Sequence, residues 1–205
     1  MFLTDALLSL VYPQSCRICG DSVEQHRFGI ACKACWEKHS FTAEGSIGFY
    51  EGALRETVLW LKRQPYLPQH AVDLLVARAR QPPFDTTTRI VPVPLHAERL
   101  RTRGFNQASI IGRELSRTLR LPLDGTSLIR VSSSQKYRAG LDSKGRHESV
   151  ANAFAVRYPR LIENEQILLV DDVFTTGATV SACAAALIAA GARSVSILTL
   201  ARARR

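Results

Sequence analysis

Apolar residues along this chain follow two periods, and the two alternate. Between residues 52 and 62, Leu54, Val58 and Leu61 fall on one face of a helix that Pro65 and Pro68 end, with Trp60 expected in the core or against the N-terminal segment. A second helix is predicted over residues 69–80, stopped by Pro82 and Pro83, and a third over 106–119 with Ile111, Leu115 and Leu119 inward. Short apolar runs predict strands at 89–94, taken as the first main strand, and at 128–131, 153–157, 167–170 and 194–200. Pro92 and Pro94 predict an interrupted ladder at the end of the first of these, opening into a loop. Ile167, Leu168, Leu169 and Val170 are unbroken by polar residues, as in an interior strand of a parallel sheet, and the Ala-rich stretch to Gly191 reads as the helix after it. This alternation predicts an α/β fold, a parallel sheet flanked by helices. The polar stretch 132–149 reads as a long loop. Residues 1–40 form a separate N-terminal unit, 41–48 a linker, and 49–205 the main domain.

With 205 residues, 46% of them hydrophobic, the chain has room for one sizeable core and a small appendage. The 27 Lys and Arg against 18 Asp and Glu give a net charge of +9, which favours anionic partners without choosing among phosphates, nucleic acid and acidic membrane. Phe2, Leu3, Ala6, Leu7, Leu10 and Val11 repeat at helical spacing and predict a helix docked on the protein itself; a membrane-surface helix would carry more Lys or Arg. That segment is too short to span a bilayer and lacks the basic start of an export signal, so a cytoplasmic protein without a transmembrane segment is expected.

The chemistry concentrates at residues 171–179. A buried strand leads into Asp171 and Asp172, then Val173, Phe174, Thr175, Thr176, Gly177, Ala178 and Thr179, and then a helix. A helix N-terminus offers unpaired N–H groups and the positive end of the dipole to a phosphate, the three threonines add hydroxyls, and Gly177 permits close approach. Two carboxylates beside an anion site make sense if their partner is neutral, and a ribose diol supplies two hydroxyl donors to two acceptors. The competing reading, that Asp172 and the threonines merely cap the helix, needs fewer residues than are spent here. A Walker loop and a dinucleotide fingerprint are both missing. The segment resembles the 5-phosphoribosyl-1-pyrophosphate (PRPP) motif of type I phosphoribosyltransferases.

Two further clusters stand out. Cys16 and Cys19, then Cys32 and Cys35, form two Cys-x-x-Cys knuckles suited to one tetrahedral, structural zinc. A disulfide reading would need an oxidising compartment, and His26 and His39 nearby read as surface residues. Cys183 reads as a small buried hydrophobe. His96, Arg99, Arg101 and Arg103 crowd a loop after the strand at 89–94, where open α/β sheets place ligands and where forked guanidinium groups suit a pyrophosphate. His96 either meets that anion as a cation or caps the loop.

The run from Val91 to Gln107, the aspartate pair and the cysteine knuckles together resemble the ComF family, which joins a zinc ribbon to a type I phosphoribosyltransferase-like domain. The resemblance implies a role in DNA uptake during natural competence. It implies that Asp171 and Asp172 hold the ribose, the Thr175 to Thr179 turn the 5-phosphate, and the Leu95 to Arg103 loop the pyrophosphate with Mg²⁺; Asp171, Asp172, Arg99 and Arg103 are then the candidate catalytic residues. Where the family's long loop ends in Asn-Val, this chain has Ser149-Val150. Lys136, Arg138 and Arg146 in that loop are candidates for a lid over the phosphates. Three functions compete: a phosphoribosyltransferase, a PRPP-sensing adaptor without turnover, and an accessory protein that binds single-stranded DNA as part of the competence machinery.

Overall fold

The computed structural model describes residues 15–23, 26–38, 45–131 and 153–204. The predicted N-terminal helix and the lid candidates Lys136, Arg138 and Arg146 lie outside the described residues. Four strands, β1 (Ser46–Phe49), β2 (Arg89–Pro92), β5 (Gln166–Phe174) and β6 (Ser194–Arg202), form a parallel sheet in the order β1-β6-β5-β2. A separate antiparallel pair is made by β3 (Leu128–Arg130) and β4 (Phe154–Val156). The helices are α1 (Lys33–Glu37), α2 (Gly52–Leu61), α3 (Gln69–Ala79), α4 (Ala97–Arg103), α5 (Gln107–Leu119) and α6 (Ala178–Ala189).

The sheet separates two hydrophobic layers. On one side Leu168, Val170, Leu198 and Leu200 pack with Leu54 and Val58 of α2, Leu75 of α3 and Ile111 and Leu115 of α5. On the other, Ile167 and Leu169 meet Val180, Cys183 and Leu187 of α6 and Leu128 and Phe154 of the antiparallel pair. Each fully buried aliphatic side chain contributes about 1.5–3 kcal/mol, so the run 167–170, buried on both faces, anchors the sheet. Gly112 sits inside α5 because a Cβ there would lie 2.9 Å from Leu123 Cδ1; the helix approaches β2 and β5 through that gap.

Three details depart from the sequence pattern. Residues 46–48, expected as the end of a linker, belong to β1, whose Ser46 and Ile47 are buried beside β6. The β2–β5 ladder is not interrupted at proline: Arg89 to Pro92 pair in register with Ile167 to Val170. Pro92 shares the outward side of the edge strand with Ile90, whose N–H bonds to Pro122 O outside the sheet, so its missing N–H costs β5 nothing. Finally, residues 97–103 are helical rather than a loop.

Candidate functional site

β5 does not stop at Val170. Its pairing with β6 continues through Asp171, opposite Thr199, to Phe174, opposite Arg202, so both carboxylates stand on the strand rather than in the turn. Asp171 Oδ1 accepts the Asp172 N–H at 2.9 Å. Burial, and then the charge of Asp172, push the Asp171 carboxyl up to about 7, against the opposing pull of Lys62. Burial and the charge of Asp171 likewise push the Cys183 thiol up to about 12, and the side chain is fully buried in α6 as expected.

The turn after Phe174 decides the capping question. The N-cap of α6 is Gly177, at φ 82°, and Asp172 lies five residues upstream within the strand, so it is not the cap. A Cβ on Gly177 would stand 2.7 Å from Phe174 Cζ and meet the left-handed backbone as well, so any other residue is strained there. Thr176 Oγ1 accepts the Ala178 N–H at a long 3.4 Å. Thr175, Thr176, Ala178 and Thr179 are exposed, and Asp172 and Val173 half-buried. A glycine N-cap brings no side chain of its own over the first turn, so beyond the long Thr176 contact to Ala178 the N–H groups there are left to a ligand or water. Phe174 packs at the edge of the core, with the Arg202 guanidinium 4.2 Å from its ring centroid.

On the neighbouring strand, Val93 donates to Val170 O, and the chain leaves the sheet beside Asp171. His96 is the N-cap of α4: its Nδ1 accepts the Glu98 N–H at 3.3 Å, which is the capping role of the two considered. Arg99 and Arg101 are exposed, while Arg103 is half-buried and donates from Nη1 to Gln107 Oε1 at 2.8 Å. The sheet end thus gathers a carboxylate pair, a glycine-capped helix N-terminus and a basic helix. Lys62 and Gln107 also belong to this neighbourhood. Gln107 closes the run that carries the family resemblance, but neither residue's type points to a role, since Lys at a helix end and Gln in an amphipathic helix read as ordinary surface residues.

The second constellation lies in the N-terminal ribbon. The sulfurs of Cys16, Cys19, Cys32 and Cys35 all lie within 4.8 Å of one another, and those of Cys19 and Cys32 are 3.6 Å apart. Four thiolates at ~2.3 Å from one tetrahedral ion stand about 3.8 Å apart, so the set fits zinc and leaves no open position. All four thiols are free, and the 3.6 Å between Cys19 and Cys32 is the spacing of ligands around an ion rather than the ~2.05 Å of a disulfide. At Cys16, burial raises the thiol, but N–H groups at Cys19, Cys32 and Ile18 outweigh it and hold it down to about 6. Burial and the neighbouring thiols push Cys35 up, and at Cys19 the Asp21 N–H lowers the thiol but burial and those thiols outweigh it and raise it. The ribbon is built into the main core. Trp36 is fully buried and donates to Phe28 O at 3.0 Å; His70 of α3 sits edge-on to both Phe28 and Trp36, with centroids 5.0 Å away. Arg17 covers Trp60 at 4.7 Å, so that tryptophan packs against the ribbon, and Arg27 pairs with Asp73 at 2.8 Å.

Among the described residues no helix is long and apolar enough to cross a membrane. A family model described as "Phosphoribosyl transferase domain" matches residues 102–205. The chain is 36% identical over 118 residues to competence protein F of Haemophilus influenzae, covering 56% of this chain and 50% of that protein. It is 35% identical over 114 residues to the DNA utilization protein YhgH of Escherichia coli K12 (56% and 49%) and 34% identical over 114 residues to competence protein ComFC of Bacillus subtilis (55% and 44%). The chain therefore spans about half the length of the curated relatives it matches. Among solved structures it is similar to glutamine PRPP amidotransferase from B. subtilis, with 15% identity, TM-score 0.47, and coverage of 78% of this chain and 32% of that one. A purine phosphoribosyltransferase from Pyrococcus horikoshii follows at 16%, 0.42, 70% and 75%.

Proposed function

The chain belongs to the phosphoribosyl transferase domain family, and from that premise we propose that it binds PRPP or another ribose phosphate with Mg²⁺ and serves DNA uptake in competence, as the names of its relatives suggest. The observation that carries the reading is a half-buried carboxylate pair, Asp171 and Asp172, held at the sheet end where Thr175 to Gly177 lead into the glycine-capped N-terminus of α6. Asp171 and Asp172 accept the ribose hydroxyls. The N–H groups and hydroxyls from Thr175 to Thr179 take the 5-phosphate, with Val173 and Phe174 fixing the turn from below. Arg99, Arg101 and Arg103 meet the pyrophosphate. His96, its Nδ1 occupied by the Glu98 N–H, keeps only Nε2 for a ligand.

Mg²⁺ would screen the pyrophosphate charge. In a transferase reading, a nitrogen nucleophile bonds to ribose C1 as the C1–O bond to pyrophosphate breaks, the electron pair leaving with the pyrophosphate. The chain's part is to hold the two reactants and to stabilise the departing anion with the α4 guanidinium groups. Saturable PRPP binding without turnover would mark an adaptor. The four-cysteine cluster holds a structural zinc in this reading.

The test is thermal. PRPP with Mg²⁺ should raise Tm in a concentration-dependent way, by ~2.7 kcal/mol of added stability at a hundredfold excess over Kd. Asp171→Asn and Thr176→Val should fold but lose most of that shift, and pyrophosphate release with a panel of bases then separates transferase from adaptor. Wild-type indifference to PRPP would remove the ribose-phosphate reading.

A second reading has its own observation. Phe174 with Arg202, and Phe49 with Arg204 at 4.6 Å, alternate rings and guanidinium groups across the ends of β5, β6 and β1, the interleaving that suits single-stranded nucleic acid. Arg204 is also engaged by Glu51. Such binding should weaken linearly on a log–log salt plot, and no binding at low salt excludes it.

A further inference from the structure

We propose that Gln107 is a positioning residue for Arg103, orienting its guanidinium with the charge left whole for a pyrophosphate; the proposal rests on the ribose-phosphate reading above. Gln107 is the first residue of α5 and only 3% exposed, a place where an amphipathic helix ordinarily puts an apolar side chain. Its Oε1 accepts Arg103 Nη1 at 2.8 Å, while its Nε2 is buried with no hydrogen-bond partner among the described residues. A buried amide with an unmet donor is destabilising, so packing alone does not account for glutamine here.

The chemical identity of the partner is the informative part. Arg27, Arg89 and Arg204 each meet a carboxylate, from Asp73, Glu165 and Glu51. Arg103 meets a neutral carbonyl oxygen. A carboxylate would orient the guanidinium equally well but would cancel most of its attraction for an anion, whereas an amide orients without neutralising. The platform is itself tied to the sheet end. Asn106 caps α5 through Oδ1, which accepts the Ala108 N–H at 3.1 Å, and its Nδ2 donates to Val93 O at 2.9 Å. Val93 in turn donates to Val170 O, the residue before Asp171. Arg103 therefore takes its position from the same strand end that carries the carboxylate pair, through hydrogen bonds that do not involve its charge. Gly104, in the left-handed region at φ 79°, ends α4 and turns the chain from Arg103 into that cap.

The probe is Mg·pyrophosphate, titrated by calorimetry into the full-length zinc-loaded protein, with Tm recorded for every variant. Gln107→Glu keeps the shape and holds Arg103 by an ion pair, so Tm should hold or rise while pyrophosphate affinity at pH 8 falls about tenfold. The ratio of variant to wild-type affinity should stay depressed down to pH 5.5, because the ion pair with Arg103 keeps the introduced carboxyl ionised there. Gln107→Met removes the acceptor at similar volume and should also weaken binding. In an Arg103→Ala background the neutral Gln107→Met should not change affinity further, the coupling expected of two residues acting as one. A merely structural glutamine gives the opposite pattern: affinity loss tracks lost Tm and persists without Arg103. Wild-type affinity in both Gln107 variants overturns the proposal while leaving the ribose-phosphate reading standing; a wild type that binds neither pyrophosphate nor PRPP overturns both.

Discussion

Asp171 keeps its proton to near neutrality because it is withdrawn from water beside a second carboxylate. Its folded-state value, about 7, lies above the ordinary carboxyl value, so the unfolded chain gives up this proton first. Its contribution is favourable below about pH 4, diminishes as pH rises, and is lost once pH passes 7. Asp124 and Glu165 act the other way. Asp124 is held low by hydrogen bonds from Ser127 and Thr126 that outweigh its burial, and Glu165 by Thr88, with Arg89 adding to it. Their stability is lost only as pH falls through the acid range, a separate window. Urea midpoints measured from pH 4.5 to 7.5 should therefore fall in the wild type and flatten in Asp171→Asn; parallel profiles would refute the assignment. Ribose hydroxyls donate best to the ionised form, so PRPP affinity should rise from pH 6 to 8. Asp171 was legible in the sequence because a charge after four apolar residues has few structural uses. Lys62 and Gln107 were not, because their significance exists only once α2 and α5 have docked against the sheet end.

At the scale of elements, the helices with an apolar stripe and the buried central strand are readable from period alone, and α2, α3 and α5 begin and end within a residue of the pattern. α4 escapes because it buries none of its residues and so leaves no periodic signal among its arginines. β1 escapes because four residues including Ser46 and Gly48 are too few to show alternation, and β5 reads short because its last four positions are half-buried and include two acids. The strand-to-helix turn yields a prediction. Gly177→Ala meets both a left-handed backbone and the Phe174 ring, so it should cost about 1–3 kcal/mol of stability and weaken phosphate binding beyond what the stability loss explains. Chemical denaturation and PRPP titration measure the two effects, and a variant as stable as wild type would show the turn to be less constrained than its geometry indicates.

Across the whole molecule, the cysteine ribbon and the sheet share one continuous core, with Trp36 and His70 at the seam. Metal loss should therefore reach beyond the ribbon. Chelation, or Cys35→Ser, should lower the Tm of the main domain together with the Trp36 fluorescence transition, since a structural zinc supplies on the order of 10 kcal/mol of folding free energy. Two separate transitions, with the main one unmoved, would mean the units are independent. The strand order carries a different consequence. β6 is the last strand along the chain, yet it lies between β1, some 150 positions earlier, and β5. During synthesis β1 has no sheet neighbour until some 150 further residues have left the ribosome, and β5 waits with one flank open. Closing so long a loop is slow, and open strand flanks invite pairing with other chains. The nascent protein should thus depend on chaperones until its final strand slots in, and a chain cut before Ser194 should aggregate rather than fold to a smaller domain.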